Sequence, residues 1–159
     1  PPEGVRRVDV VSAQQMLAAS LEAAAQCDIF IGGAAVADYR PAQIATQKIK
    51  KGATSMALEL VKNPDIISTI AALDKRPFTV GFAAETIDVE RHGAEKLQRK
   101  RLDLLFANDA NATLGSDNIS ATALWPQGSL ALGPASKRRV AVQMLELLRR
   151  QYDLKHRQA

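Results

Sequence analysis

The sequence predicts an α/β fold: a mainly parallel sheet with helices on both faces and a C-terminal β-hairpin. Three apolar runs, at residues 28–36, 78–84 and 102–108, lack the alternation of a half-exposed strand. Helical stretches separate these runs, which is typical of a parallel sheet. Near the C-terminus, two short apolar runs flank a turn at residues 126–128, which predicts an antiparallel hairpin.

The first half of the chain predicts a strand, a helix and a second strand. The short β-branched run RVDVV, residues 7–11, predicts the first strand, and Ser12 with Gln15 forms a capping box for the helix that follows. The second strand, residues 28–36, leads into a lysine-bearing connection. Within that connection, residues 56–60 alternate as a short strand does.

Three further helices are predicted in the second half. Asn63 is a candidate N-cap for the first, and Pro64 suits the first helical position. The second covers roughly residues 87–100, between the third and fourth strands. The third begins at about Ser136 and carries apolar residues on its inner side.

The composition is typical of one globular domain. The chain has 159 residues, of which 47% are hydrophobic and 24% are charged, so we predict a single domain over residues 1–159 with a sizeable core. It has no run of about 18 apolar residues, and its N-terminus lacks the regions of a signal peptide. We therefore expect a cytoplasmic protein with no membrane partner.

Few residues are suited to a zinc site or a disulfide. Cys27 is the single cysteine, and His92 and His156 are the two histidines, so a zinc site lacks ligands and no internal disulfide can form. The metal ligands, if any, are unknown from the sequence. The net charge of +4 favours an anionic partner but does not separate a nucleotide from a nucleic acid.

Small residues and an acid follow the second strand, where open α/β sheets bind ligands. Gly32, Gly33 and Ala34 leave no bulk above the strand, so a ligand can approach the backbone closely. Asp38 then offers an acceptor for an amino or hydroxyl group. The alternative is a tight packing turn in which Asp38 is a local cap.

The ends of the third and fourth strands are also unusual. Phe82 lies among small residues that leave one ring face free to stack on a base, although a strand-end phenylalanine is often plain core. Asn108 and Asp109 place polar groups where the fourth apolar run stops, and turn chemistry explains them equally well.

Lysines recur near these strand ends. Lys96 and Lys100 are four apart in a predicted helix, so their ammonium groups repel one another unless an anion lies between them. A solvated helix face or loop is the alternative for each lysine. If several lysines converge on the sheet edge that carries Asp38 and Phe82, the favoured ligand has a base, a ribose and a polyphosphate. The candidate lysines are Lys48, Lys50, Lys51, Lys62, Lys96 and Lys100.

The chain contains "AAVADYRP", "KIKK", "VKNPDI", "VGFAAET" and "FAND" in this order. With these spacings it resembles bacterial phosphopantothenoylcysteine synthetase, the C-terminal half of the bifunctional coenzyme A biosynthesis flavoprotein, from about residue 7 to the C-terminus. The family joins 4'-phosphopantothenate to L-cysteine with CTP and Mg2+, through an acyl-cytidylate that cysteine's amine converts to an amide with loss of CMP. The resemblance implies a Rossmann-like fold and a homodimer, with FMN only in a fused decarboxylase domain that this chain does not include.

The resemblance also implies roles for individual residues. Lys48 is the expected catalytic residue, on a flap loop after the second strand that closes over the reacting phosphate. Asn108 and Asp109 are expected to contact the phosphopantothenate substrate. The expected CTP-binding residues are Gly32, Gly33, Ala34, Asp38, Lys48, Lys62, Asn63, Phe82, Lys96 and Lys100.

Two departures from the family pattern affect these expectations. The family domain opens with a glycine-rich strand and an "SNHSSG"-like segment whose asparagine contacts the acyl-cytidylate, and this chain begins after both. We therefore expect the chain by itself to bind CTP better than it turns substrates over. The loop at 110–118 is shorter than in the family and has Leu114 where phenylalanine is expected.

Other functions remain as alternatives. A non-catalytic nucleotide-binding module is compatible with the missing asparagine. An NAD-dependent oxidoreductase fits the sheet pattern, but no G-x-G-x-x-G follows a strand. RNA binding fits the basic charge, but only 4% of residues are aromatic and no aromatic stripe interleaves the lysines, so we expect no nucleic-acid partner.

Overall fold

The computed structural model describes residues 1–50, 55–85, 87–109 and 117–157. Within them the chain forms a mixed sheet, a separate two-stranded ribbon and helices. The elements in chain order are α1 (Ala13–Ala24), β1 (Ile29–Gly32), β2 (Tyr39–Pro41), β3 (Leu60–Lys62), α2 (Ile66–Ala71), β4 (Phe78–Glu85), α3 (Val89–Arg99), β5 (Leu104–Asp109), β6 (Asn118–Trp125), β7 (Gly128–Ser136) and α4 (Lys137–Arg157).

The main sheet has the strand order β1-β4-β5-β6-β7. Strands β1, β4 and β5 are parallel, with Ile29 opposite Phe78 and Val80 opposite Leu104. Strand β6 pairs antiparallel with both β5 and β7 and forms the C-terminal hairpin. The predicted α/β class and the hairpin are therefore confirmed.

Helices cover both faces of the sheet, as predicted. On one face, Val140, Leu147 and Leu148 of α4 pack in a buried cluster with β4 and β5 residues that include Val80 and Leu104. On the other, α2 and α3 pack on the sheet through residues such as Ala71 and Leu97. Helix α1 packs against α2. Burial of apolar area on both faces holds these layers together.

The ribbon of β2 and β3 stands apart from the main sheet. Its two strands are antiparallel, with Tyr39 opposite Lys62 and Pro41 opposite Leu60. The sequence predicted a strand at 56–60, whereas β3 begins only at Leu60. The strand is displaced because it forms where Tyr39–Pro41 supplies a partner, and that partner is distant in sequence.

Two other local predictions were wrong. Residues 7–11 do not form a strand; Val8 and Val11 are exposed, and without a neighbouring strand a β-branched run gains nothing from extended pairing. The N-cap of α2 is Asp65 rather than Asn63: the Ser68 amide N–H donates to Asp65 Oδ1 at 3.2 Å.

The predicted flap loop is described only in part. Residues 42–50 carry no helix or strand, and Lys51 lies outside the described residues. Closure of this segment over a ligand stays a prediction. We refer to residues 42–50 as the lysine segment.

Candidate functional site

A cavity of about 730 Å³ lies beside the ends of β1 and β4, between α2 and α3. The chain leaving β1 forms one wall, the turn from β3 into α2 forms a second, and the last turn of α3 forms a third. Its charged lining is more basic than acidic: the cations are Lys62, Lys96, Arg99 and Lys100, and the acids are Asp38 and Asp65.

Most of the residues singled out in the sequence meet in this cavity. Lys48 is not among the lining residues; it is exposed in the lysine segment. Asn108 and Asp109 end β5, and Asn108 does not line the cavity either. The predicted residues that do line it are Gly32, Gly33, Ala34, Asp38, Lys62, Asn63, Phe82, Lys96 and Lys100.

The glycines differ in the space that they leave. A Cβ built on Gly32 lies 2.8 Å from Ile67 Cδ1, so packing against α2 occupies that position. Among the described residues, the nearest atom to a Cβ built on Gly33, chain neighbours aside, is Cδ2 of Phe82 at 3.9 Å. The close approach expected of a ligand is therefore available at Gly33, whereas Gly32 serves helix packing.

Phe82 is partly core and partly open. Its ring tilts against Phe106 at a centroid distance of 5.4 Å, while 42% of the residue remains exposed. Phe82 does not end its strand as the sequence predicted, because β4 continues to Glu85. The strand is otherwise largely buried, so an exposed aromatic ring within it is unusual. One side of the ring is thus supported by the protein, and the other can receive a planar group.

Asn63 joins two walls of the cavity instead of capping α2. Its Nδ2 donates to the carbonyl oxygen of Ala37 at 2.8 Å, and its backbone N–H donates to the carbonyl oxygen of Asp38 at 2.7 Å. Within the described part of the chain, the Asp38 carboxylate has no hydrogen-bond partner. The carboxylate is therefore available to a ligand, although the backbone behind it is fixed.

Each of the paired lysines on α3 already has a carboxylate partner. Lys96 Nζ lies 3.4 Å from Glu85 Oε1, and Lys100 Nζ lies 2.9 Å from Asp65 Oδ2. Burial raises the pKa of Asp65, but hydrogen bonds from Lys100 and Ser68 outweigh it and the pKa is lowered. The protein thus relieves the expected repulsion between the lysines with its own acids.

Arg99 was missed by the sequence reasoning. It lines the cavity beside Lys96 and Lys100, and no ion-pair partner for it exists among the described residues. The signal was present, because positions 96, 99 and 100 share one face of a helix. Its guanidinium is suited to bidentate contact with a phosphate.

The described residues do not form a protein-held magnesium site. Among them, no group of three His, Cys, Asp or Glu side chains is placed to hold a metal ion. At the cavity, Asp65 is already paired with Lys100, as Glu85 is with Lys96. Magnesium often binds through one or two carboxylates plus substrate phosphates, so these residues fit an ion delivered with a nucleotide better than a resident one.

Comparison with known families shows to which protein family the chain belongs. The model of the DNA/pantothenate metabolism flavoprotein C-terminal domain matches residues 1–152. The chain belongs to this family. The resemblance noted from the five motifs, to the synthetase half of the coenzyme A biosynthesis flavoprotein, is thereby confirmed.

Curated members of the flavoprotein C-terminal domain family are considerably longer than this chain. The coenzyme A biosynthesis bifunctional protein CoaBC of Vibrio parahaemolyticus is 49% identical over 154 residues, which cover 93% of this chain and 39% of that protein. CoaBC of Escherichia coli K12 is 44% identical over 163 residues, covering 98% and 40%. The chain thus spans about two fifths of these relatives.

Solved structures agree with the family assignment. The crystal structure of the C-terminal domain of CoaBC aligns with a TM-score of 0.77 at 30% identity, covering 98% of this chain and 69% of that one. The DNA/pantothenate metabolism flavoprotein from Streptococcus pneumoniae also aligns with a TM-score of 0.77, at 20% identity and covering 94% of this chain and 74% of that one, which shows the shared fold. In the described part of the chain, no helix has the length and apolar character needed to cross a membrane.

Proposed function

We propose that the chain is the CTP-binding part of a phosphopantothenate–cysteine ligase in coenzyme A biosynthesis. The observation that carries the proposal is that an exposed aromatic ring, an unpartnered carboxylate and a row of cations come together in one cavity. A nucleoside triphosphate has a planar base, polar edges and a polyphosphate, so it matches all three. The names of the relatives supply the pathway.

In this proposal, the base and ribose occupy the wall formed by the chain leaving β1. Gly33 allows close approach to the backbone, and Phe82 offers one ring face. The Asp38 carboxylate accepts a hydrogen bond from the amino group of cytosine. Uracil has a carbonyl oxygen at that position, so it would place two acceptors against one another and bind less well.

The triphosphate extends towards the last turn of α3. Lys96, Arg99 and Lys100 lie there on one helix face, and Lys62 reaches the cavity from β3. Their charges compensate that of the phosphates, and an arginine fork adds directional contacts. On binding, Lys96 and Lys100 share their carboxylate partners with the phosphates or exchange them for the phosphates. Because both side chains are already held by ion pairs, ordering them on the ligand costs little conformational entropy.

The reaction proceeds in two displacements. A carboxylate oxygen of 4'-phosphopantothenate attacks the α-phosphorus of CTP; the bond to the β-phosphate oxygen breaks and pyrophosphate leaves. The amine of L-cysteine then attacks the acyl carbon, CMP leaves and the amine loses a proton. We propose that the cationic wall stabilises the charge on the phosphates and that Lys48, carried in by the lysine segment, acts only as the first displacement occurs.

Other components of the proposal are less directly tied to this cavity. Mg2+ would enter with the triphosphate, and FMN belongs to a decarboxylase domain outside this chain. Asn108 and Asp109 would contact the phosphopantothenate. A cytoplasmic location also stays a prediction.

We further propose a homodimer formed through the β2–β3 ribbon. The ribbon and the residues just before it expose large apolar side chains: Tyr39, Met56, Leu58 and Leu60 are each more than half exposed. The outer edges of both strands are unpaired in the described part of the chain. Exposed apolar residues beside open strand edges are suited to pairing with a second copy.

Calorimetry on the chain tests the nucleotide assignment. We expect CTP to bind more tightly than UTP, ATP or NAD, because Asp38 reads the amino edge of cytosine and a purine is larger than the pyrimidine for which that contact is placed. Replacement of Asp38 by asparagine should reduce the preference for CTP over UTP about tenfold. Asp74→Asn, an exposed acid outside the cavity lining, is the matched control.

Two results would contradict this assignment. Comparable affinities for all four nucleotides would remove the proposed ligand. A collapse of the melting temperature in Asp38→Asn, with the CTP preference unchanged, would show that Asp38 is a structural cap. A separate outcome, CTP binding without turnover in a protein with the full length of the CoaBC relatives, would contradict the ligase activity alone and leave a non-catalytic nucleotide-binding module.

A further inference from the structure

The guanidinium of Arg40 lies behind the cavity wall and does not line the cavity itself. Its Nη1 donates to the carbonyl oxygen of Lys62 at 2.8 Å and to Asn63 Oδ1 at 3.2 Å. Arg40 belongs to β2 and lies opposite Val61 of β3. One side chain thus ties the ribbon to the turn that enters α2.

Asn63 extends this constraint to the segment that carries Asp38. Its amide nitrogen holds the carbonyl of Ala37, and its backbone N–H holds the carbonyl of Asp38. Because Arg40 donates to Oδ1, the amide must keep its nitrogen towards Ala37; the flipped amide would oppose two donors at one end and two acceptors at the other. Arg40 therefore fixes the orientation in which the Asn63 side chain can hold the carbonyl of Ala37, the residue directly before Asp38.

We propose that Arg40 is a positioning residue that places the Asp38 carboxylate through Asn63, and thereby sets the preference of the site for cytosine. The proposal rests on the proposed function, in which Asp38 reads the amino group of the base. The Asp38 side chain makes no hydrogen bond within the described residues, so its position depends on the backbone that Asn63 holds. A small displacement of a directional hydrogen bond weakens it steeply.

Substitutions at Arg40 distinguish a role in positioning the Asp38 carboxylate from a general contribution to the stability of the fold. Arg40→Met keeps the aliphatic stem but removes every donor, whereas Arg40→Lys keeps the charge without the planar fork. Arg138, exposed on α4 and without an ion-pair partner in the described part of the chain, gives the matched control Arg138→Met. All variants are made in the 159-residue chain.

The first measurement is the ratio of the dissociation constants for CTP and UTP. We expect Arg40→Met to lower the preference for CTP about fivefold or more, because UTP gains nothing from a correctly placed Asp38. Arg40→Lys should recover part of the preference, and Arg138→Met should retain all of it. An equal loss of affinity for both nucleotides in Arg40→Met would overturn the proposal.

The second measurement needs no nucleotide. Amide hydrogen exchange by NMR should be about tenfold faster at Asn63 in Arg40→Met, since opening of its bond to the Asp38 carbonyl becomes easier, while amides in the middle of β4 keep their protection. Unchanged exchange at Asn63 would overturn the proposal on its own. If the unaltered chain does not prefer CTP to UTP, the proposed function fails, and the exchange result still decides whether Arg40 holds the Asp38 segment.

Discussion

At the scale of single residues, Asp103 joins three parts of the molecule at the start of β5. It accepts two hydrogen bonds from Arg76, at 2.7 and 2.9 Å, one from Lys155 at 2.7 Å and one from the Thr79 amide N–H at 2.8 Å. Burial raises the pKa of Asp103, but these donors outweigh it and the pKa is lowered. The ionised carboxylate is therefore the form that the fold stabilises.

We expect Asp103→Asn to lower the free energy of unfolding by about 2 kcal/mol at pH 7, since charge-assisted hydrogen bonds are lost. Because the folded pKa lies below the unfolded value of about 3.9, this stabilisation is present above that pH and is lost as the pH falls through the folded pKa. Urea unfolding at pH 7 and pH 3 should therefore show a smaller difference between the two proteins at pH 3.

An exposed ion pair provides the control for Asp103. Asp9 pairs with Arg7 while both side chains stay largely exposed, so Asp9→Asn should change the free energy of unfolding by less than about 0.5 kcal/mol. A difference between Asp103→Asn and the unaltered chain that is as large at pH 3 as at pH 7 would show that packing, not charge, explains the effect.

Lys48 is the residue whose proposed role depends on motion. It is exposed and outside the cavity lining, so it can act only if the lysine segment closes. In a protein with the full length of the CoaBC relatives, Lys48→Ala should lower kcat about a hundredfold to a thousandfold, because its contact forms mainly in the transition state. Lys96→Ala should chiefly raise the KM for CTP.

Steady-state kinetics with varied CTP separates these two effects. A Lys48→Ala enzyme with unchanged kcat would show that the lysine segment is a solvated loop. A defect in CTP affinity alone would show that Lys48 makes only a binding contact. The melting temperature of each variant is the control, since Lys96 also pairs with Glu85.

At the scale of elements, the C-terminal end of α3 presents a row of three positively charged side chains. Its last turn holds Lys96 and Arg99, and Lys100 follows directly. Cations at a helix C-terminus also compensate the helix dipole, so part of this row is explained without a ligand. The dipole does not require the row to face a cavity, and that placement is what favours an anionic ligand.

Arg99→Gln should weaken CTP binding about tenfold, equivalent to about 1.4 kcal/mol, and should weaken CMP binding much less, because the β- and γ-phosphates supply most of the contact. Arg101→Gln makes the same change in charge two residues away, at a position outside the cavity lining, and should have little effect. Calorimetry at two salt concentrations completes the test. Equal losses for CTP and CMP, or for both variants, would exclude a polyphosphate contact at Arg99.

At the scale of the whole molecule, the outer strand edges of the ribbon are unpaired within the described part of a single copy. If the ribbon forms the dimer, Leu60→Lys should convert the protein to monomers in sedimentation, since Leu60 is 52% exposed there and a charge opposes burial against a second copy. Leu145→Lys changes a residue of α4 that is 60% exposed and should leave the dimer intact. Dissociation by Leu145→Lys alone would move the interface to α4, and a monomeric unaltered chain would remove the dimer.

The sequence by itself determined the class of fold, the family and most of the residues that share the cavity. Apolar runs reveal buried strands because burial on both faces leaves no polar alternation, and motifs such as "VKNPDI" carry the family directly. The helical repeat of about 3.6 residues also places Lys96 and Lys100 on one face of a helix. These are properties of residues close together in the chain, so a local pattern is sufficient to predict them.

The tertiary structure decided what depends on partners from elsewhere in the chain. Residues 7–11 carry a strand-like pattern but form no strand, because strand formation requires a neighbour that sequence periodicity does not supply. Asn63 leaves the helix cap to Asp65 because the carbonyl oxygen of Ala37, 26 positions away, accepts from its side-chain amide. Lys96 and Lys100 find carboxylates on β4 and α2. Such contacts depend on distance in space, which the order of residues does not give.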